Sequence, residues 1–585
     1  MKQVLLSHLQ FLYGDAQARE VYPHLEEIIA RYKESLYTPE ENESGKYFGQ
    51  QDTVLITYGD MVQAPGERPL DTLSEFLSDT ISDSINTVHI LPFFPYSSDD
   101  GFSIIDYRQV DPRLGDWMDI EAFTASFRLM FDAVVNHVSS QSDWFQGFLE
   151  GEDPYNEYFI VVSEDAGLTQ VFRPRARPLL SEMQTADGAK LVWTTFSSDQ
   201  IDLNFANPDV LLAVIDTLLF YVQYGADFIR LDAIAYIWKE LDTTCIHLPQ
   251  THRIIQLMRS VLDIVAPHVI LITETNVPHE DNIVYFGDGY NEAQMVYNFS
   301  LPPLTLHAFH QGNAEVLSEW AATLTLPSPG VSFFNFLASH DGIGLTPARG
   351  LLADEDVQEI AKRVETLGGY VSYRSSPDGS ESPYELNISY IDALGEPGVE
   401  ESDELVARRF LAAQAIMLSL RGVPGIYFHS LFGSRSWHQG VQESGHKRRI
   451  NRQKLERYDL DAALGDRSSL RAQVFFPYAE MLRQRAAEPA FHPTGEQEII
   501  QVHPSLFALW RYARSVDQQL LCLHNVANET VHASISLKQY QNPEAEFVDL
   551  LSGREFTASD GRLTLEIPPY GVHWLRPCNN HTDTA

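Results

Sequence analysis

The chain has 585 residues, and its 41 Lys+Arg stand against 81 Asp+Glu, a formal net charge of −40. That balance argues against a nucleic-acid protein, whose phosphate partner selects a basic footprint, and against docking on an anionic lipid leaflet. A hydrophobic content of 44% with 11% aromatic residues is that of a folded chain, not of a disordered one. Only 9 of the 41 basic residues are lysines, a composition that suits either a saline cytoplasm or ordinary solubility through net charge.

Taken in chain order, the first segment (1–52) reads as a helical extension. Leu5, Leu9 and Leu12 share one face, and Leu25, Ile28, Ile29 and Tyr32 share another after Pro23. MKQVLLSHLQFLYGD lacks a long apolar core and a small-residue cleavage site, and no run approaches the length of a membrane span. A cytoplasmic location is expected. The three cysteines, Cys245, Cys522 and Cys578, are odd in number and widely spaced, which suits a reducing compartment.

Eight short apolar runs follow, at 54–60, 87–95, 129–137, 226–236, 269–276, 293–301, 333–341 and 423–430, each succeeded by a helical pattern. Apolar strands alternating with helices imply a parallel sheet covered on both faces, and eight such units predict an α/β fold of the (β/α)8 TIM-barrel type. The intervals after the third and seventh runs are too long for one helix. They predict two inserted subdomains, at 139–205 and 343–403, both on the face where barrel active sites lie. The barrel itself is then 53–138, 206–342 and 404–489. Beyond 490 the pattern changes to short alternating strands, such as SLFALWRY and VHASISL, which predict an antiparallel β domain over 490–578.

The strand ends carry the chemistry. The third run ends D-A-V-V-N-H, with Asp132 and His137, and the fourth carries R-L-D, with Arg230 and Asp232 two apart on a strand and so on one face. The fifth ends with Glu274 in T-E-T-N and the seventh with His340 and Asp341 in S-H-D. Singly, an acid at a strand end is more often a helix cap or an ion-pair partner. Together, the carboxylates meet at one barrel mouth, an arrangement suited to glycosyl transfer, in which one attacks the anomeric carbon and another protonates the leaving oxygen. Arg230 is expected to keep Asp232 ionised by opposite charge, while Glu274 must keep a raised pKa. Asp132 is expected to be structural.

DAVVNH, GADFIRLDA, ITETN and ASHD resemble the four signature regions of the α-amylase superfamily. LITYGD, HILPFFP, D-D-G-F, W-T-T-F, FSLPPLTLHA, ASHDGIG and R-R-I-N-R narrow the resemblance to the sucrose phosphorylase group over nearly the whole chain. The resemblance implies Asp232 as nucleophile, Glu274 as general acid/base and Asp341 as stabiliser of the transition state. It implies Asp99, His137, Arg230, His340 and Arg448 as glucose-binding residues. Phosphorolysis also needs an anion site, for which Arg175 in the first insert, Tyr384 in the second, and Arg448 fit by position. An arginine within hydrogen-bond reach of phosphate acts well inside the screening length of about 8–10 Å, so the acidic exterior does not oppose it. Small-molecule substrates are implied, with inorganic phosphate as co-substrate, no cofactor and no metal. Monomer and homodimer both stay open.

Three features depart from sucrose phosphorylases. The acid/base strand continues E-T-N-V-P-H, the second insert has S-P-Y-E, and a helical extension precedes the first strand. All three resemble the glucosylglycerate phosphorylases, whose acceptor is an anion. Sucrose, sucrose 6-phosphate and glucosylglycerol phosphorylases share the same motifs, as would an α-glucosidase. An anionic acceptor calls for further positive charge, and Arg349, Arg435, Lys447 and Arg449 lie in the loops after the seventh and eighth strands. A retaining reaction requires the Asp232 and Glu274 carboxyls to lie about 5–5.5 Å apart.

Overall fold

A computed structural model describes residues 2–36, 47–163, 167–174, 178–375, 381–537 and 544–578. A strand falls on each of the eight predicted runs, two of them starting one residue earlier: β1 (Val54–Thr57), β2 (Thr87–Ile90), β3 (Arg128–Ala133), β4 (Ala226–Leu231), β5 (Ile270–Thr273), β6 (Met295–Tyr297), β7 (Ser332–Asn335) and β8 (Val423–Tyr427). They close in chain order, every neighbouring pair parallel, with Val54 opposite Thr87 on one side and opposite Gly425 on the other. The expected (β/α)8 barrel is therefore present. All residues of β1, β2, β5, β6, β7 and β8 are buried. Burial on both faces is why these strands read as continuous apolar runs.

Helices such as Pro208–Gln223, Pro249–Val265, Asp403–Ser419 and Leu470–Ala487 form the outer layer. The long interval after β3 holds a sheet of Val161–Val162, Leu180–Thr185 and Gly188–Trp193, besides the pair His137–Ser139 with Gln200–Asp202. The interval after β7 holds helix Asp354–Thr366 and a sheet of Ile343–Gly344, Tyr370–Ser375 and Glu381–Asn387. At the C-terminal end a six-stranded sheet and the pair Val531–Ser536/Arg562–Ile567 share a core that includes Leu506, Trp510, Leu523, Ile535 and Leu565. Among the described residues no helix is long and apolar enough to cross a membrane.

The N-terminal helix runs Lys2–Ser35 and packs on helices Pro208–Gln223 and Pro249–Val265 through Leu5, Leu9, Leu25 and Ile29. Its break falls at Gly14 (φ 78°), not at Pro23 as the sequence leads one to expect. Glycine adopts that conformation at no steric cost, whereas Pro23 withholds one hydrogen bond within a turn whose neighbours Tyr22 and Leu25 are buried.

Two buried arginines tie the parts together, and among the described residues their hydrogen bonds go to backbone carbonyls. Arg485, 1% exposed, donates to the carbonyls of Leu418 (3.2 Å), Gln50 (2.6 Å) and Gly422 (3.0 Å). Arg511, fully buried, donates to those of Ser419 and His492, each at 2.7 Å. Both neutralise the negative C-terminal end of helix Asp403–Ser419. Arg485→Met is expected to cost on the order of 3–5 kcal/mol, because several buried carbonyls lose their donors together. Thermal unfolding checks this, with substrate KM unchanged in the protein that remains folded.

Candidate active site

The C-terminal ends of β4, β5 and β7 lead into Asp232, Glu274 and Asp341, which share one pocket. Asp99, Phe102, His137, Gln200, Asp232, Tyr236, Glu274, Asn276, His340, Asp341, Tyr384 and Arg448 are among the residues lining it. Arg230, 2% exposed, is the hub beneath it. Its Nη1 bonds Asp132 and reaches Asp232 Oδ1 at 2.7 Å, while Nη2 lies 3.9 Å from Glu274 Oε2. Asp132 is fully buried and also bonds His89 Nε2 at 2.7 Å. It does not line the pocket, and its carboxyl stays low, at about 2, because Arg230 and His89 outweigh the cost of burial.

Arg230 is thus shared among three carboxylates, and this changes one expectation. It does not hold Asp232 down alone. Burial, with Glu274 and Asp132 nearby, raises the Asp232 carboxyl, and burial with Asp341 raises that of Glu274. Two neighbouring acids around one guanidinium repel each other's charge, which favours a proton shared between them. The geometry puts that proton on Glu274, since Asp232 has the direct ion pair and Glu274 only the longer contact. Glu274 Oε2 also accepts the Ala233 N–H at 3.0 Å, offered by a left-handed residue (φ 48°) immediately after Asp232.

Asp341 is the opposite case. Burial opposes its charge, but Arg448, His340, Arg452 and Arg230 together hold its carboxyl far below the usual range. His340, lowered to about 3 by burial, is neutral and stacks on Phe102 at 4.7 Å and 4°. His137 Nε2 lies 2.9 Å from the Phe102 carbonyl.

Arg448 bonds Asp341 through Nη1 and Glu385 through Nε (3.0 Å) and Nη2 (2.7 Å). Tyr384 lines the same wall. Arg175 lies outside the described residues, but Pro174, next to it in the chain, lines the pocket. None of the four residues expected to hold an acceptor is among those lining the pocket. Arg435 is exposed and paired with Asp392 (2.9 Å) and Asp403 (3.4 Å). Arg349 donates to Ser382 Oγ, Lys447 to the Val371 carbonyl, and Arg449 pairs with Asp100 at 2.6 Å. In a chain with 81 acids, loop cations find local partners, and like charge in neighbouring loops does not bring them to one place.

Sequence reasoning passed over Arg452. It is 2% exposed, lies 3.5 Å from Asp341 and 4.0 Å from Asp99, donates to the His340 carbonyl at 2.8 Å, and pairs with Asp100 at 2.7 Å. Its signal was present as the last residue of R-R-I-N-R.

Known proteins align with this arrangement. Residues 82–341 match the α-amylase catalytic domain. The glucosylglycerate phosphorylase of Allomeiothermus silvanus is 50% identical over 575 residues, 98% of each chain. That of Escherichia coli is 42% identical over 98% of this chain and 100% of its own. The crystal structure of a sucrose 6F-phosphate phosphorylase from Thermoanaerobacter thermosaccharolyticum superposes with a TM-score of 0.72 at 23% identity, over 87% of this chain and 98% of that one. The chain therefore belongs to the glucosylglycerate phosphorylase family, built on an α-amylase catalytic domain.

Proposed function

We propose that the protein is a retaining α-glucoside phosphorylase that converts 2-O-α-glucosyl-D-glycerate and phosphate into α-glucose 1-phosphate and D-glycerate. What supports this most is one pocket whose walls combine Asp232, Glu274 and Asp341 with Arg448 and Tyr384. Asp232 attacks C1 while Glu274 protonates the departing glycerate oxygen, leaving a β-glucosyl ester on Asp232. Phosphate then enters the vacated position, and one of its oxygens attacks C1 on the face the acceptor left, breaking the ester to Asp232, returning a proton to Glu274 and restoring the α configuration. Asp341, held anionic by the surrounding arginines, favours the oxocarbenium-like charge in both steps. Asp99, His137 and His340 surround the sugar, with Arg452 behind Asp99 and Asp341.

Three of the five Arg448 N–H groups are used on Asp341 and Glu385. Two remain for a phosphate oxygen, with Arg175 and Tyr384 as its other holders. Phosphate and D-glycerate are both anions, which accounts for cations kept at the mouth of an otherwise acidic protein.

Phosphate release tests the specificity in the synthetic direction. α-Glucose 1-phosphate is offered with D-glycerate, fructose, fructose 6-phosphate and glycerol in parallel. D-Glycerate is expected to be the fast acceptor. Fast release with fructose and none with D-glycerate would overturn the substrate assignment.

A further inference from the structure

One wall of the glucose pocket is a short loop in an unfavourable conformation. Asp99 (φ 55°) and Asp100 (φ 50°) are consecutive left-handed residues, followed by Gly101 at φ 113°. Left-handed non-glycine residues are strained and persist only where the surroundings hold them. Gly101 leaves no room for a side chain, since a Cβ there would meet the Pro92 carbonyl at 2.6 Å. The loop carries much of the sugar's surroundings. Asp99 lines the pocket, Asp100 pairs with Arg449 and Arg452, and Phe102 stacks under His340. The Phe102 carbonyl also takes hydrogen bonds from the His137 and Gln200 side.

The group that grips this loop is Asp199, in the first insert just before strand Gln200–Asp202. Its Oδ2 accepts the hydroxyls of Ser97 (2.6 Å), Ser98 and Ser103 (3.0 Å), and its Oδ1 that of Ser140 (2.6 Å). Its carbonyl accepts Ser140 N–H at 3.1 Å and shares the single Ser103 hydroxyl proton with Oδ2, its distance to Ser103 Oγ being 2.8 Å. Ser97 N–H closes the loop on the Ser103 carbonyl at 3.1 Å. One carboxylate therefore holds both ends of the segment 98–102 and the loop after β3 as well. Burial opposes the Asp199 charge, but the four hydroxyls hold its carboxyl below the ordinary value, so it is the anion that makes these bonds.

We propose that Asp199 is a positioning residue for the glucosyl subsite. Through the four serines it sets the Asp99–Phe102 loop, and it makes the orientation of Asp99 depend on the seating of the first insert. The inference rests on the reading of Asp99 as a sugar-binding acid.

Steady-state kinetics in the synthetic direction test it. Asp199→Ala is expected to raise the KM for α-glucose 1-phosphate roughly tenfold or more, since displacing a positioned group by an ångström has effects of that size, while leaving the D-glycerate KM unchanged. Ser98→Ala should raise the same KM a few-fold. Ser98→Thr should restore it, because Ser98 is extended (φ −158°, ψ 178°) and accepts a β-branched side chain that keeps the hydroxyl. An unchanged donor KM, or donor and acceptor KM rising together, would overturn the inference. Should Asp199→Ala not fold, the Ser98 pair decides in the same way. Asp99→Asn is the control. If it leaves the donor KM unchanged, the reading of Asp99 fails; if it raises that KM and the Asp199 and Ser98 variants do not, only the role of Asp199 fails.

Discussion

Asp232→Asn is expected to lower kcat for glucosyl transfer by about 10⁴-fold or more, because no other group can form the glucosyl ester. The same change should make the protein more stable. Three carboxylates, Asp132, Asp232 and Glu274, surround the single Arg230 guanidinium in a buried setting. A carboxyl whose pKa is raised on folding binds its proton more tightly in the folded state, so stability is lost as pH rises through the raised value. Asparagine keeps the shape and removes that repulsion. The gain in Tm should therefore be larger at pH 8 than at pH 5, on the order of a degree or two in a chain of this size. Scanning calorimetry at the two pH values measures it. An Asp232→Asn protein less stable than the parent at pH 8 would mean that the Arg230 ion pair outweighs the crowding of acids.

Glu274→Gln has the second largest effect, and it depends on the leaving group. With a glucoside whose leaving oxygen needs a proton, the loss in kcat/KM should be about 10²–10⁴-fold. With α-glucosyl fluoride, which departs without one, the loss should nearly vanish. The pH profile follows from the shared proton. As pH rises, kcat/KM increases while Asp232 loses the pair's second proton, then falls when Glu274 loses the remaining one. Because burial raises both carboxyls, the falling limb lies above the ordinary carboxylate range. In Glu274→Gln, assayed on the fluoride, that falling limb should disappear. Its persistence would mean that another group carries the proton.

The barrel was legible because its strands are buried on both faces, so runs such as VLIT and ILIT need no partner to be recognised. The acids were legible because they sit where those runs end. Strand limits were less so: the run 129–137 stops as a barrel strand at Ala133, and His137–Ser139 turns away to pair with Gln200–Asp202 in the first insert. Alternation of side chains cannot show where a strand leaves its sheet. Arg452 was hidden by its neighbours, since Arg448 and Arg449 lie in a short 3-10 turn over Lys447–Asn451 and Arg452 just after it, so that Arg448 meets Asp341, Arg449 meets Asp100 and Arg452 meets both. Asp199 left no mark either, because its partners Ser97, Ser98, Ser103 and Ser140 come from two other loops. Pairings of that kind are set by the fold and have no local pattern.

The central claim is glucosyl transfer to phosphate with retained configuration through Asp232 and Glu274. Proton NMR of the first product formed from 2-O-α-glucosyl-D-glycerate and inorganic phosphate tests it most directly. The account predicts α-glucose 1-phosphate as the initial product, with no signal when phosphate is left out. Initial β-glucose 1-phosphate, or free glucose formed at a rate independent of phosphate, would contradict it.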